Sequence, residues 1–337
     1  MPSPSLSAHR LASETSLHIF QSQILPAEFP HLPSPPSHHA PSRARPLAVL
    51  TVGQTGAGKT RISRAILAAM HVVRGDANTP AHLIADTYKI YHPDYAHLIS
   101  SAPHLASAAT GPDARRWLAM AAEEVVRRAM DVLVESACRH PADFEDLVRI
   151  FSEANYRLEV VLLAVPAPLS RLGIMVRYYE KLPEGQSGKL PMRLTPQTVH
   201  DESYGGLVGA AMFLDRSGLA DQVIVVRRGN MVAYGVDRAQ MDGAGIAEAL
   251  IKERERPLTT DEMKTAVNDL SRLSKLRDAD EQVGLVRHML GPLTVEGGGK
   301  YGDEQRWPDL KPLVFGNDRR EAEDTYNVLR LGQMGPL

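Results

Sequence analysis

The chain has 337 residues and a formal net charge of −2, enough for about two domains at roughly 150 residues each. A hydrophobic content of 43% supports a packed core, and without a basic excess the chain is not expected to bind nucleic acid. One cysteine, Cys138, excludes an intrachain disulfide framework; with no bilayer-length apolar run and no secretory leader, a cytoplasmic protein without a membrane segment is expected.

Residues 1–45 stand apart in composition. Nine of the 24 prolines fall within residues 1–46, so Phe29–Pro46 reads as an extended linker that cannot sustain a helix or a ladder. Before it, Ala12–Leu25 is predicted to be one amphipathic helix, with Leu17, Phe20 and Ile24 on one face and Ser13 as cap. His31, His38 and His39 read as solvated linker residues, since no thiol or carboxylate cluster completes a metal site. From residue 46 the pattern changes. Short apolar runs predict strands at Leu47–Val52, Ala81–Ala85, Asp131–Val134, Leu158–Val165, Gln222–Val226 and Met231–Tyr234, with Arg227–Asn230 as a hairpin-type turn. Helical patterns fall at Arg61–Met70, Ala114–Met130, Ala142–Ala154, Ser170–Lys181 and Thr198–Ser217. This alternation predicts an α/β fold: a doubly wound, mostly parallel sheet over residues 46–236, whose P-loop kinase-like character rests on the motif and resemblance given below. Residues 237–337 read as an extension, helical to about Met289 and irregular beyond Gly291.

The first strand runs into Gly53-Gln54-Thr55-Gly56-Ala57-Gly58-Lys59-Thr60, a full match to the P-loop pattern GxxxxGK[ST], and a helix follows. The glycines let successive backbone N–H groups turn toward phosphate oxygens, and the helix N-terminus adds its positive end. Lys59, the first lysine in the chain, is placed to reach the β- and γ-phosphates, and Thr60 to offer its hydroxyl to Mg²⁺. ATP is the expected nucleotide, with GTP as the alternative. Asp86, at the carboxyl end of the second strand, is positioned either as a base for an acceptor hydroxyl or as a helix N-cap; position alone does not separate the two.

Four segments resemble the zeta toxin family, the kinases of epsilon/zeta toxin–antitoxin pairs. They are the P-loop with Ile24-Leu25-Pro26 upstream; Ala85-Asp86-Thr87-Tyr88-Lys89 with His92-Pro93-Asp94-Tyr95; Asp131-Val132-Leu133-Val134-Glu135-Ser136 with Arg139; and a stretch from Ala164-Val165-Pro166 through Ser170-Arg171-Leu172-Gly173, Arg177-Tyr178-Tyr179-Glu180 and Arg193-Leu194-Thr195-Pro196 to His200-Asp201. Together they cover about residues 24–235. The resemblance implies an ATP- and Mg²⁺-dependent kinase in which Asp86 is the base and Arg177 and Arg193 embrace the transferring phosphate. It places Glu135 on the substrate or metal side, and Arg139 as a nucleotide or substrate contact. The acceptor it implies is a hydroxyl of a UDP-N-acetylhexosamine, and the partner an antitoxin protein.

The acceptor side departs from the family pattern. Ala119 stands where a glutamate is usual, with Glu123 one turn later; Gly111–Arg116 lacks the Thr-Pro and Ser arrangement; and Ser136-Ala137-Cys138 replaces Gly-Thr-Gly. Two further readings therefore stay open: a kinase of another hydroxylated metabolite or nucleotide cofactor, and a nucleotide-binding switch with little catalysis. Cys138 is expected to be a packing residue.

Overall fold

Residues 6–30, 45–75, 79–186, 194–294, 307–316 and 326–333 are described by the computed structural model. His31, His38, His39 and Arg193, with most of the Pro-rich linker, lie outside the described residues. The N-terminal helix is α1 (Ser13–Ile19), a π-helical turn over Phe20–Ile24 and α2 (Leu25–Glu28). Its inward face differs from expectation. Ser16, Ile19, Phe20 and Ile24 are buried, and Leu17 is 44% exposed. The π turn adds a residue to the period and rotates the face. Ser13 does not cap; it is the first helical residue, and the cap position is Ala12.

β1 (Leu47–Val52) is followed by α3 (Lys59–Arg74), β2 (Ala81–Ile84), α4 (Ala85–Tyr88), α5 (Tyr95–Ser101) and α6 (Pro103–Arg127). β3 (Val132–Ser136), α7 (Pro141–Glu153), β4 (Arg157–Leu163), α8 (Ala167–Gln186), α9 (Gln197–Ser217), β5 (Gln222–Arg227) and β6 (Met231–Asp237) continue the alternation. Beyond them come α10 (Ile246–Glu255), α11 (Thr260–Leu273), α12 (Asp280–Leu290) and the two-residue strands β7 (Lys311–Pro312), β8 (Val314–Phe315) and β9 (Val328–Leu329). The predicted helix at Ala114 begins eleven residues earlier, at Pro103, and runs through Pro112. Gly111-Pro112 reads as a stop by propensity. Burial of Ala106, Ala109, Thr110 and Asp113 outweighs the cost of about 3 kcal/mol of an interior proline.

The main sheet has the order β2-β3-β1-β4-β5-β6-β7. β1 to β5 are parallel, β6 returns antiparallel beside β5 through the turn at Arg228–Asn230, and β7 pairs antiparallel with β6. β1, β4 and β5 are buried at every position, as parallel strands covered on both faces must be. The period of two divides them cleanly. Ala48, Leu50 and Val52 of β1 enter a core with α6, α7, α9 and the N-terminal helix, while Leu47 and Val49 enter a second core with α3, α8, α11 and α12. The segment beyond Gly291, expected to be irregular, extends the sheet by β7 and places Leu329 and Leu331 in that second core.

Buried ion pairs fasten the extension to the sheet. Arg227 of β5 is fully buried and binds Glu253 of α10 at 2.9 Å and Glu262 of α11 at 2.6 Å. Glu262 also closes the capping box of Thr259. Removing the cation would leave two carboxylates buried, a change that costs about 3–5 kcal/mol. Arg227→Met is expected to lower unfolding free energy by about that amount in urea titration; a loss below about 1 kcal/mol would mean that solvent reaches the carboxylates.

Candidate active site

The carboxyl edge of the parallel strands opens on a cleft of about 720 Å³ whose walls come from the P-loop, β3, α4, α6, α8 and the start of α9. In an open α/β sheet this edge, where strand order reverses, is where ligands sit. The P-loop leaves β1 with Gly53 N–H donating to the Ser136 carbonyl at 3.1 Å. Gly56 and Gly58 hold left-handed φ values of 82° and 97°, which β-carbon-bearing residues resist. At Gly56 a β-carbon would also collide with the Ser170 carbonyl.

Thr55, Gly56, Gly58, Lys59 and Thr60 line the cleft. Gly53, Gln54 and Ala57 lie behind it and are buried. The Gln54 amide points into the protein, donating to the Val165 carbonyl at 2.6 Å and the Ser170 hydroxyl at 3.2 Å. Lys59 Nζ folds back onto the Gly53 carbonyl at 2.7 Å. Burial pulls its pKa down to about 8, with Arg177 adding to the fall and Glu135 and Asp86 opposing it.

Asp86 sits in the first turn of α4 directly after β2, and it caps no helix; the cap position is Ile84. Its carboxylate meets Lys89 at 2.7 Å and remains 82% exposed because it faces the open cleft. The crowding cleft walls push its pKa up, but Lys89, Lys59 and Arg177 outweigh them and hold it below the usual carboxylate range. Glu135 lies one strand inward, at the register position opposite Thr51 and Ile84. Burial pushes its carboxyl up, and bonds from His82, at 3.1 Å, and Ser63 outweigh it, so it too stays ionised.

Arg177 projects from α8 into the cleft, exposed and without a carboxylate partner among the described residues. Arg139 lines the far side and is paired with Glu202 at 2.5 Å. Thus Lys59, Thr60, Asp86, Glu135, Arg139 and Arg177 meet in one cavity. Cys138 is 3% exposed with a left-handed φ of 49°. Burial pushes its thiol up to about 12, so packing, as expected, describes it.

Sequence reading missed the pairing residues. Lys89, which also donates to Ser107 at 2.9 Å, and His82 behind Glu135 had no assigned part, although Lys89 stood inside a quoted motif. Arg115, paired with Asp143 at 2.7 Å, forms the wall opposite the P-loop. Ser170, His200 and Asp201 bond in series at 2.8 and 2.9 Å. Ser170 is fully buried, however, and its hydroxyl braces Gln54, so the series supports the loop and presents no nucleophile to the cleft.

Residues 36–239 match the family model described as Zeta toxin. Toxin PezT of Streptococcus pneumoniae serotype 4 is 21% identical over 211 residues, 62% of this chain and 79% of PezT. The solved structure of the PezAT chromosomal toxin–antitoxin system of Streptococcus pneumoniae is similar at a TM-score of 0.59 and 18% identity, over 80% of this chain and 98% of that one, which shows a common fold. The AvrRxo1-ORF1:AvrRxo1-ORF2 complex solved with ATP is more distant, with a TM-score of 0.43 and 14% identity over 74% of this chain and 77% of that one. Among the described residues no helix is long and apolar enough to cross a membrane.

The half-buried amine makes a direct prediction. Acetylation of Lys59, followed by peptide mass mapping across pH, should show a midpoint near 8, where the neutral amine becomes abundant. A midpoint near the ordinary lysine value of about 10.4 would show that burial does not act on it.

Proposed function

The chain belongs to the zeta toxin family, and from that premise we propose that it is an ATP-dependent phosphotransferase acting on a hydroxyl of a small-molecule acceptor. The observation that carries this reading is the convergence of Lys59, Thr60, Asp86, Glu135 and Arg177 on one cleft at the end of the P-loop strand. The residues present fit a nucleotide: a left-handed glycine cradle, an amine that can leave the Gly53 carbonyl for a phosphate, and an exposed threonine hydroxyl at the start of α3. ATP is the phosphoryl donor of this reading, with GTP as alternative, and Mg²⁺ would sit on Thr60 and neutralise phosphate charge.

Each side chain has a part in the transfer. P-loop amides bind the phosphates, and Lys59 supports the β- and γ-phosphates. Asp86, ionised and facing the open cleft, takes the acceptor proton as the new oxygen–phosphorus bond forms and the bond to the leaving diphosphate breaks. Lys89 holds that carboxylate ready. Arg177, without a carboxylate partner among the described residues, stabilises the charge spread over the transferring oxygens. Arg193 shares that part by resemblance and lies outside the described residues. Glu135, fixed by His82, orients the metal or the acceptor, and Arg139 contacts the acceptor or nucleotide.

A UDP-N-acetylhexosamine is the acceptor the family implies. A second reading, another hydroxylated metabolite or a nucleotide cofactor, is favoured by one observation. Ala119, standing where the glutamate is usual, lines the cleft, while Glu123 is exposed away from it. A switch with little catalysis would leave Asp86 and Arg177 without a role. PezT belongs to a toxin–antitoxin system, so an antitoxin partner is part of the proposal, with the cytoplasm as site of action.

Incubation with ATP, Mg²⁺ and a metabolite panel that includes UDP-sugars should yield one phosphorylated acceptor by mass spectrometry; ATP hydrolysis with no phosphorylated product would refute the transferase. Asp86→Asn is expected to lower kcat by about 10²–10⁴-fold with ATP affinity little changed. Collapse of ATP binding with an unaltered residual rate would instead make Asp86 a metal ligand. Arg177→Ala should reduce kcat far more than it raises KM for ATP, because its interaction is strongest in the transition state; an unchanged kcat would remove it from the reaction.

A further inference from the structure

The fold pairs the buried guanidinium of Arg227 with two carboxylates. Its neighbour Arg228, on the β5–β6 turn, forms no ion pair among the described residues, and Glu262 and Asp269 reach it only at longer range. Its Nη2 donates instead to the Gly56 carbonyl of the P-loop at 3.0 Å and to the Leu169 carbonyl at 2.5 Å. Arg254 of α10 is 4% exposed, and it too lacks a carboxylate partner among the described residues. Its Nη2 donates to Gln54 Oε1 of the P-loop at 3.3 Å and its Nη1 to the Tyr204 carbonyl at 2.9 Å, and the guanidinium lies 3.8 Å from the Tyr204 ring centroid. Its Nε has no hydrogen-bond partner. Burial lowers the pKa of both arginines, of Arg254 to about 10.

A buried cation without an ion-pair partner is costly, and this fold keeps two of them against one loop. Both arginines grip the loop through neutral acceptors, so both keep their full charge directed at it. Glu262 and Asp269 act on Arg228 only through their field, without an ion pair, whereas an anion on the other side of the loop would face both arginines. Their sequence positions, 172 and 200 residues from their P-loop partners, put them in no local motif.

We propose that Arg228 and Arg254 are positioning residues of the phosphate site, bracing the P-loop from behind and taking their counter-charge from the phosphates of the bound nucleotide. The inference rests on the nucleotide reading given above. It makes the segment from β5 to α10 part of the nucleotide site without touching the ligand. Gly173 belongs to the same arrangement, because a β-carbon there would press on the Gly56 carbonyl and on Arg228 Nη2.

The test uses the full chain and measures binding alone, by calorimetry with ATP and Mg²⁺ and by thermal unfolding with and without them. Arg254→Gln retains hydrogen bonding and removes the charge. Its melting temperature without nucleotide should equal or exceed that of the wild type, while ATP affinity falls about tenfold and the ATP-induced rise in Tm shrinks to match. Arg254→Lys, which keeps the charge and loses the fork, should bind ATP more tightly than Arg254→Gln. Arg228→Gln should behave as Arg254→Gln does. A lower melting temperature with wild-type ATP affinity would make the arginines merely structural and overturn the proposal, as would equal ATP affinity in the Gln and Lys variants. If the wild type itself failed to bind ATP, the nucleotide reading would fall first and the inference with it.

Discussion

A phosphate-binding loop must leave most of its N–H groups turned inward, so it cannot be held by a ladder of its own. The backbone conformations at Gly56 and Gly58 set the curl, but curl alone does not immobilise a loop against its conformational entropy. Support comes from outside. Ser136 of β3 accepts the first amide, Val165 and Ser170 hold the Gln54 side chain, and Arg228 holds the Gly56 carbonyl. Three separate chain segments thus meet at one loop. The crossings of the parallel sheet bring the ends of β3, β4 and β5 to its edge.

Charge in this molecule divides by location. At the amino ends of the strands, carboxylates are matched. Asp131 binds Arg74 and the Leu47 amide, and Asp221 binds Arg45 and the Leu158 amide. Glu159 holds Arg157 and the Leu331 and Gly332 amides, which anchors the C-terminal segment beneath β4. At the carboxyl ends some charges are paired, but Lys59 rests on backbone carbonyls and Arg177 has no carboxylate partner among the described residues. A site that must attract and stabilise polyanionic phosphate needs donors that are preorganised and not already neutralised.

The extension beyond β6 is integral to this arrangement. α11 and α12 pack their apolar faces into the core that also holds α3 and α8. Arg272 pairs with Glu180 of α8 at 2.8 Å, and Tyr179 donates to the Asp278 carbonyl at 2.7 Å. The helix that carries Arg177 is therefore braced from the side away from the cleft. The opposite wall depends on α6 continuing through Pro112, which keeps Gly111, Arg115 and Ala119 on the cleft.

Much of this was legible in the chain itself because its signals are local. The apolar runs at Leu47–Val52 and Leu158–Val165 mark buried parallel strands, and the P-loop pattern carries its own conformational demands at Gly56 and Gly58. Asp86, Glu135 and Arg177 stood in motifs tied to adjacent strands, so naming the strands also placed them near one another. Tertiary structure alone decided the rest. The π turn rotated the N-terminal helix away from Leu17, burial carried α6 past Gly111-Pro112, and the segment after Gly291 gained β7 by pairing with the distant β6. Arg254 reaches Gln54 across 200 residues, and no periodicity or spacing records a contact of that kind. Local sequence specifies backbone conformation and which faces are apolar; which buried charges find a counter-charge depends on what the completed fold brings beside them.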